Sequence, residues 1–272
     1  MALRFADLLR TEHIPHMWCP GCGIGIVLKS MLEAIEGLEW EGNDTAVISG
    51  IGCTSRAPGY LDMNTMHTTH GRALSFATGI KFSRPDKHVM VIAGDGDSTA
   101  IGGNHLIHAC RRNIDITMII VNNLTYGMTG GQFSPTTPEG DRAVTAPWGN
   151  IDHSFDISEL CRAAGATYVA RGHVGSGVQL ERLIKGGMNH KGFAVIEVMS
   201  NCHTQYGRRN HLADPVELID HIADRTINVK RAAKLTSDEL KDKIVVGLLH
   251  QDTDKSEYCQ SYTKVIERAQ GI

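Results

Sequence analysis

The sequence predicts an α/β fold with an open, mainly parallel sheet and helices on both faces. Short apolar runs rich in β-branched residues, at positions 89–93, 116–121 and 193–198, are typical of strands that are buried on both sides. Segments with helical periodicity alternate with such runs, as in repeated βα units. A chain of 272 residues, of which 42% are hydrophobic, is long enough to bury a large core around this sheet.

Charge and composition narrow the class of protein. The net charge is −3 and the sequence pI is about 6.5, so no basic surface predicts nucleic acid as a main partner. No apolar run approaches the roughly 18 residues of a membrane helix, and the charged N-terminus lacks the apolar stretch of a secretory signal. We therefore expect no membrane span and a cytoplasmic protein. In that reducing compartment the seven cysteines are expected as ligands or buried thiols.

The first motif along the chain is Cys19-Pro20-Gly21-Cys22, which precedes a segment with helical periodicity. A Cys-x-x-Cys pair at a helix start is compatible with a redox-active dithiol, half of a zinc site, or part of an iron-sulfur site. The residues before it form a poor strand, unlike thioredoxin, and no second Cys-x-x-Cys completes a zinc ribbon. All three alternatives stay open at this point.

Two further cysteines follow predicted strands. A strand at residues 45–49 leads into Gly50-Ile51-Gly52-Cys53, and the strand at 193–198 is followed by Cys202. With Cys19 and Cys22, these cysteines can converge on one edge of the sheet, where four thiolates would suit a [4Fe–4S] cluster. Spacing alone leaves an iron-sulfur cluster, zinc and unrelated buried thiols equally open. The remaining cysteines fit buried thiols better, and they are Cys110, Cys161 and Cys259.

A histidine stands before the next predicted helix, at residues 71–82. His70 at that N-terminus is placed to meet an anionic ligand, although a structural role is the ordinary reading for a single histidine. Small residues in the helix allow close packing.

The central motif is Gly94-Asp95-Gly96-Asp97, directly after the strand at 89–93. The strand at 116–121 ends at Asn122-Asn123. If the two strands are parallel neighbours, Asp95 and Asn123 lie together at the carboxyl edge where open α/β sheets bind ligands. A carboxylate, an amide oxygen and a backbone carbonyl are the hard ligands of Mg²⁺, which would hold a diphosphate. The alternative is a tight Asp-Gly turn without a ligand. Ser98 or Thr99 is expected to cap a helix that continues to about Arg112.

The rest of the chain extends the α/β pattern. The loop at 133–150 is long enough to be a functional lid, although a plain surface loop is equally compatible. A helix at 157–164, a strand at 168–171 and a helix at 178–187 follow. The chain divides into a main α/β domain at residues 1–210 and a C-terminal helical extension at 211–272, which is expected to contact another subunit.

Gly94-Asp95-Gly96 followed by Asn122-Asn123 resembles the thiamine-diphosphate motif. The wider order of Cys-Pro-Gly-Cys-Gly, Gly-Ile-Gly-Cys, Gly-Asp-Gly-Asp, Asn-Asn-x-x-Tyr-Gly-Met-Thr and a late cysteine resembles the β subunit of the 2-oxoacid:ferredoxin oxidoreductases, from about Trp18 to Tyr206. This resemblance implies the diphosphate-type domain of the thiamine-diphosphate-binding fold. It implies Mg²⁺ ligation by Asp95, Asn123 and the Thr125 carbonyl. The four cysteines matching the cluster ligands of the family are Cys19, Cys22, Cys53 and Cys202. The residues implied to bind cofactor are Gly52, Cys53, His70, Gly94, Asp95, Gly96, Asp97, Asn123, Thr125, Tyr126, Gly127, Met128 and Thr129.

The resemblance also implies an activity. It is the coenzyme A-dependent oxidative decarboxylation of a 2-oxoacid, which gives an acyl-CoA and CO₂ and passes electrons through the cluster to ferredoxin. Reverse carboxylation is also open to such an enzyme. The α subunit would supply the aminopyrimidine half of the site, so this chain needs that partner.

The substrate is the least constrained part of the prediction. Arg56 follows Cys53 by three residues, and its guanidinium could hold a substrate carboxylate, with a backbone or subunit contact as the alternative. Arg56 and His70 are the two candidate catalytic residues. The chain is most like 2-oxoglutarate-specific members, which favours 2-oxoglutarate, with pyruvate or another 2-oxoacid next. A non-oxidative thiamine-diphosphate decarboxylase or synthase and a zinc-stabilised non-catalytic subunit are the rival classes.

Overall fold

The computed structural model describes residues 5–271, whose centre is an eight-stranded sheet with the strand order β2-β1-β3-β4-β8-β7-β10-β9. A separate two-stranded hairpin joins β5 to β6. The strands are β1 (Thr45–Ser49), β2 (Asn64–His67), β3 (His88–Gly94), β4 (Thr117–Asn122), β5 (Thr125–Tyr126), β6 (Gln132–Phe133), β7 (Tyr168–His173), β8 (Ala194–Met199), β9 (Thr226–Asn228) and β10 (Ile244–Gln251).

All neighbouring strand pairs of the large sheet are parallel except the pair of β10 with β7. The central strands β4, β7 and β8 are buried along their whole length, which explains their apolar runs. In the register of β3 and β4, Gly94 pairs with Val121. The two strands predicted to be parallel neighbours are therefore adjacent, as expected.

Helices cover both faces of the sheet. They are α1 (Ile24–Gly37), α2 (Ala73–Ser83), α3 (Asp95–Thr99), α4 (Gly103–Arg112), α5 (Ile157–Ala164), α6 (Gly177–Met188), α7 (Pro215–Arg225), α8 (Val229–Ala232), α9 (Ser237–Leu240) and α10 (Tyr258–Gln270). On one face α1 packs with α6, and Ile35 and Ile184 belong to the same core. On the other face α2, α4 and α5 bury Ala77, Leu106 and Cys161. The predicted open α/β sheet is confirmed.

The helix expected from Ser98 or Thr99 to Arg112 is wrong in its start and its continuity. Helix α3 begins at Asp95, and a turn at residues 100–102 separates it from α4. The hydroxyls of Ser98 and Thr99 donate to the carbonyls of Gly94 and Asp95, four residues back, instead of capping a helix. The interruption brings the turn against Gly71, where an added Cβ would lie 2.7 Å from the Gly102 nitrogen.

The C-terminal segment contains the expected helices and, in addition, two strands that the sequence analysis does not predict. Strand β10 pairs with β7 and with β9, so the sheet continues beyond residue 210. Only Val246 and Gly247 of β10 are buried, and this half-exposed strand lacks the continuous burial of the central ones. The division into domains after residue 210 stays a prediction. Within residues 5–271 no helix is long and apolar enough to cross a membrane.

Candidate active site

The candidate site lies at the carboxyl ends of four adjacent parallel strands, β1, β3, β4 and β8. The loops that leave these strands carry Cys53, Asp95, Asn123 and Cys202, in that order. Because parallel neighbours end at the same edge of a sheet, residues from four distant parts of the sequence meet there. The topology therefore brings together both halves of the predicted site.

Asp95 is a buried carboxylate at this edge, with 2% of its surface exposed. Its Oδ2 accepts hydrogen bonds from the hydroxyls of Ser134 and Thr136, each at 2.6 Å. Burial raises the pKa of Asp95 to about 6, although these hydroxyls and nearby backbone amides lower it. A buried carboxylate whose charged form is disfavoured is what a cation would stabilise, so Asp95 fits the role of a metal ligand.

Buried polar contacts continue from Asp95 across the sheet. Thr136 Oγ1 lies 2.9 Å from Asn122 Oδ1, and Asn122 Nδ2 donates to Glu197 Oε1 at 2.9 Å. The Glu197 carboxylate also accepts from Ser158 at 2.7 Å and from Arg171 Nε at 2.8 Å. The bond to Glu197 directs the Asn122 carbonyl oxygen toward the Asp95 side. Sequence reasoning missed this network, although Glu197 is an acidic residue inside an apolar strand, a pattern that signals a paired charge.

The other candidate Mg²⁺ ligands follow directly on β4. Asn123 is buried, and Leu124 has a left-handed backbone with φ of 63°, which is uncommon for a residue with a branched side chain. The Leu124 carbonyl accepts from Thr137 Oγ1 at 2.6 Å, which holds the turn. Thr125 donates its hydroxyl to the Gln132 carbonyl at 2.8 Å. Since Gly94 pairs with Val121, this turn stands beside Asp95, and Asn123 and Thr125 fit the predicted ligand set.

Gly96 is needed for close packing. A Cβ at this position would lie 2.2 Å from the Tyr126 ring, and the Tyr126 hydroxyl donates to the Gly96 carbonyl at 3.3 Å. Gly94 has more space, with Thr54 Oγ1 at 3.7 Å from an added Cβ. Tyr126 packs edge-on to His70, with ring centroids 6.2 Å apart. The predicted cofactor residues of α3 and β5 are therefore in one neighbourhood.

Asp97 lies beneath His70. Its Oδ1 is 2.5 Å from His70 Nδ1 and accepts from the backbone amides of Gly71 at 2.7 Å and Ile51 at 3.3 Å. A Cβ at Gly50 would lie 2.1 Å from Asp97 Oδ2. The carboxylate thus ties two loops together and orients the imidazole. With Nδ1 engaged by Asp97, the other ring nitrogen of His70, Nε2, has no hydrogen-bond partner within residues 5–271. The side chain of His70 is 37% exposed and that of Asp97 only 2%, so His70 is the member open to a ligand.

The four cysteines line one cavity of about 230 Å³. A Cβ at Gly127 would lie 3.2 Å from Cys202 Sγ and 3.7 Å from Cys53 Sγ, so both sulfur atoms face this glycine. Burial, and to a smaller extent the neighbouring cysteines, raise the pKa of Cys22 to about 12 and that of Cys53 to about 11. A metal centre that binds thiolates would reverse this effect. Among residues 5–271, no three His, Cys, Asp or Glu side chains are grouped to hold a single metal ion.

Hydrogen bonds that do not involve sulfur hold the cysteine-bearing segments together. Trp18 Nε1 donates to the Cys53 carbonyl at 2.7 Å. Asn201 accepts from the Gly23 amide at 2.8 Å and donates to the Gly21 carbonyl at 2.9 Å. The segments that carry Cys19, Cys22, Cys53 and Cys202 are therefore joined by two side chains, Trp18 and Asn201, that sequence reasoning did not single out. The other three cysteines are buried, as predicted, in the core on the face of the sheet that α2, α4 and α5 cover. They are Cys110, Cys161 and Cys259.

Arg56 is exposed beside the cysteines, and its Nε lies 3.4 Å from Met17 Sδ, a weak acceptor. It also lines a neighbouring cavity of about 620 Å³ with Arg10 and His67. Ser55, at the wall of that cavity, has a buried hydroxyl without a partner in the described part of the chain.

Three predicted cofactor residues lie at the margin of the site. Gly52 has φ of 125°, a backbone conformation that favours glycine, although nothing lies within 4 Å of an added Cβ. Met128 is exposed and lines the cysteine cavity. Thr129 is exposed in the turn between β5 and β6, where its hydroxyl donates to Gln132 Oε1 at 2.6 Å. The loop after β6 contributes Ser134 and Thr136, and its role as a lid stays a prediction.

Comparison with known proteins defines first the class and then the family. Residues 50–198 match the model of the thiamine pyrophosphate enzymes, C-terminal TPP-binding domain. The fold and the site are thus those of a thiamine diphosphate enzyme.

The relatives are more specific. The chain is 52% identical over 260 residues to 2-oxoglutarate synthase subunit KorB of Methanocaldococcus jannaschii, covering 96% of both chains. It is 46% identical over 265 residues to the subunit of that name from Archaeoglobus fulgidus, covering 97% and 95%. It superimposes with a TM-score of 0.88 and 34% identity on a solved 2-oxoglutarate:ferredoxin oxidoreductase from Magnetococcus marinus with 2-oxoglutarate, coenzyme A and succinyl-CoA bound, covering 98% and 91%. The chain belongs to the β-subunit family of the 2-oxoacid:ferredoxin oxidoreductases.

This membership confirms the predicted family, fold class, oxidoreductase activity and thiamine diphosphate cofactor. The roles of individual residues, Mg²⁺ and the iron-sulfur cluster stay predictions.

Proposed function

We propose that this chain, together with an α subunit, catalyses the coenzyme A-dependent oxidative decarboxylation of 2-oxoglutarate to succinyl-CoA and CO₂ in the cytoplasm, with ferredoxin as electron acceptor. The observation that carries the proposal is the meeting of two sets of residues in one cavity. Asn123 and Gly127, from the predicted diphosphate side, line the same space as Cys19, Cys22, Cys53 and Cys202. Thiamine diphosphate and a cluster held by these residues would lie close together, as electron transfer between them would require.

Different residues of this chain are proposed to bind Mg²⁺, the diphosphate and the iron-sulfur cluster. Asp95, Asn123 and the Thr125 carbonyl would hold Mg²⁺, and the backbone at Gly94 would leave room for the diphosphate. The four cysteines would hold a [4Fe–4S] cluster. Thiamine diphosphate, when bound, supplies the electron sink for loss of CO₂ from a 2-oxoacid.

Two side chains are proposed to act on the substrate. Asp97 orients His70, so that Nε2 is the nitrogen available to donate or accept a proton at the ligand. Among the described residues Arg56 has only a thioether as hydrogen-bond partner, which leaves its guanidinium able to bind a carboxylate in two parallel hydrogen bonds. The names of the relatives support 2-oxoglutarate as the acid that Arg56 meets.

The test is an assay of the anaerobically purified complex of this chain with its α subunit. Ferredoxin reduction should require both coenzyme A and a 2-oxoacid, with a higher kcat/KM for 2-oxoglutarate than for pyruvate. The protein should show a brown absorption that dithionite bleaches and should contain iron. Turnover of pyruvate without turnover of 2-oxoglutarate would make pyruvate the substrate. Zinc in place of iron would overturn the oxidoreductase mechanism.

A further inference from the structure

Two hydroxyl groups of the loop after β6 hold one and the same oxygen of Asp95. Ser134 Oγ and Thr136 Oγ1 each lie 2.6 Å from Asp95 Oδ2, and no side chain within residues 5–271 donates to Oδ1. We propose that Ser134 and Thr136 make Asp95 a one-oxygen metal ligand and thereby select Mg²⁺ over Ca²⁺ at the diphosphate site. The inference rests on the proposed Mg²⁺ role of Asp95 and adds the residues that determine which ion is bound.

The proton positions support this assignment. Each hydroxyl carries one proton, and an ionised carboxylate only accepts, so Ser134 and Thr136 both donate to Oδ2. Asn122 Oδ1, 2.9 Å from Thr136 Oγ1, accepts a hydrogen bond instead from the Leu124 amide at 3.3 Å. Hydrogen bonds to a carboxylate are about twice as strong as neutral ones, so Oδ2 is held away from competing partners.

Ser134 and Thr136 form a clamp on Asp95 Oδ2. This clamp is rigid because the hydrogen bonds that hold its loop are buried. The Ser134 amide donates to Thr137 Oγ1 at 2.8 Å, and Thr137 Oγ1 donates to the Leu124 carbonyl at 2.6 Å. Ser134, Thr136 and Thr137 are each at most 3% exposed. The loop is thus fastened both to Asp95 and to the turn that carries the other proposed ligands. The two hydroxyls have no freedom to swing away when an ion arrives.

Mg²⁺ and Ca²⁺ differ in how they bind a carboxylate, so an Asp95 held at one oxygen favours Mg²⁺. Mg²⁺ requires a near-ideal octahedron and is satisfied by one oxygen of a carboxylate. Ca²⁺ takes six to eight oxygens and commonly binds both oxygens of a carboxylate. With Oδ2 occupied by two donors, a two-oxygen mode would break both hydrogen bonds inside a buried site. Ca²⁺ therefore loses a ligand at this position, and Mg²⁺ loses nothing.

The experiment uses the α–β complex stripped of metal with a chelator. Retained thiamine diphosphate is measured after ultrafiltration, as a function of added Mg²⁺ or Ca²⁺, in Ser134→Ala, Thr136→Val and the double variant. The double variant should shift the ratio of the half-saturating Ca²⁺ and Mg²⁺ concentrations toward Ca²⁺ by about tenfold, the value of roughly one contact to a charged group. Each single variant should shift it less, and Thr136→Ser should keep the wild-type ratio.

Ser154→Ala is the matched control, because its hydroxyl donates to the Thr137 carbonyl at 2.8 Å in the same loop region without touching Asp95. It should leave the ratio unchanged. An unchanged ratio in the folded double variant, or in both single variants should the double variant not fold, overturns the inference. Asp95→Asn separates the two levels of the argument. If it retains thiamine diphosphate like the wild type, the proposed Mg²⁺ site itself is wrong, whereas loss of retention with an unchanged ratio in the clamp variants removes only the selectivity.

Discussion

Two regions at the same edge of the sheet are organised in opposite ways. The magnesium region comprises Asp95, Asn122, Asn123, Ser134 and Thr136, and in it the Asp95 carboxylate accepts short buried hydrogen bonds from Ser134 and Thr136. The cysteine region comprises Cys19, Cys22, Cys53 and Cys202. There the sulfur contacts are long or come from the backbone: Cys19 Sγ lies 3.7 Å from Thr204 Oγ1, and Cys202 receives hydrogen bonds from the backbone of Gln205 and Tyr206.

The difference separates a site that the protein builds by itself from one that its ligand must complete. In the magnesium region hydrogen bonds from the protein itself hold the carboxylate of Asp95, the proposed Mg²⁺ ligand. In the cysteine region Trp18 and Asn201 hold the backbone, while burial keeps the Cys22 and Cys53 thiols protonated. Metal binding there must displace protons, so it is coupled to thiol ionisation. Substitutions should accordingly affect the two regions separately.

The largest effect is expected for Cys202→Ser in the cysteine region. Loss of a thiolate ligand should remove most of the iron and the visible absorption, while Mg²⁺-dependent retention of thiamine diphosphate persists. Iron and sulfide analysis of the anaerobically purified complex measures this. Cys259→Ala, which removes a buried thiol outside the site, should keep full iron. Iron content unchanged in Cys202→Ser would take Cys202 off the ligand set.

The next effect is expected for Asp95→Asn in the magnesium region. Removing the charged ligand should weaken Mg²⁺-dependent binding of thiamine diphosphate by at least about a hundredfold, without loss of iron. Titration of the stripped complex measures it. Asp86→Asn is the control. Asp86 is exposed, lies just before β3 and forms an ion pair with Arg84. Simultaneous loss of iron would show that the two regions do not form independently.

The third effect is expected for Arg56, which lies beside the cysteine region and is proposed to bind the substrate. If its guanidinium binds the distal carboxylate, Arg56→Ala should lower kcat/KM for 2-oxoglutarate about ten- to a hundredfold more than for 2-oxobutyrate, which lacks that group. Iron and thiamine diphosphate content should not change. Equal losses for both acids would assign Arg56 to the shared carboxylate or to the scaffold.

A smaller effect is expected for Gly127→Ala, at the boundary between the regions. The added methyl group would lie 3.2 Å from Cys202 Sγ, so the sulfur must shift by a few tenths of an ångström. Iron content should fall between that of the wild type and that of Cys202→Ser. Gly103→Ala, where an added Cβ meets nothing within 4 Å, should behave as the wild type. Full iron content in Gly127→Ala would mean that the cysteine region is open enough to absorb a methyl group.

The smallest effect concerns stability of the metal-free complex. The folded pKa of Asp95, about 6, lies above the ordinary 3.8, so ionisation is disfavoured in the folded state. Stability relative to Asp95→Asn is therefore fully present below pH 3.8 and is lost as the pH rises through about 6. Thermal unfolding of both proteins across this window measures the difference, which saturating Mg²⁺ with thiamine diphosphate should reverse. A difference independent of pH would contradict the buried, ionisable Asp95.

Local signals in the sequence were sufficient for the sheet and for part of the site. The apolar runs before Asp95 and Asn123 predicted adjacent parallel strands, and both residues lie at the expected edge of the sheet. This prediction was possible because the burial of a strand and its end depend on residues that are consecutive in the sequence. The cysteine set followed from spacing only as one of several alternatives. It was the family resemblance that selected it.

What the tertiary structure alone decided are contacts between residues that are far apart in the sequence. Ser134 and Thr136 meet Asp95 across 39 and 41 positions, and Asn201 meets Gly21 across 180. No local pattern encodes such a partner, because a serine in a loop looks the same whether it faces solvent or a carboxylate. The half-exposed β10 and the break between α3 and α4 were hidden for the same reason. Sequence by itself determined which chemical groups stand at the strand ends, and folding determined which oxygen of Asp95 the two hydroxyls contact.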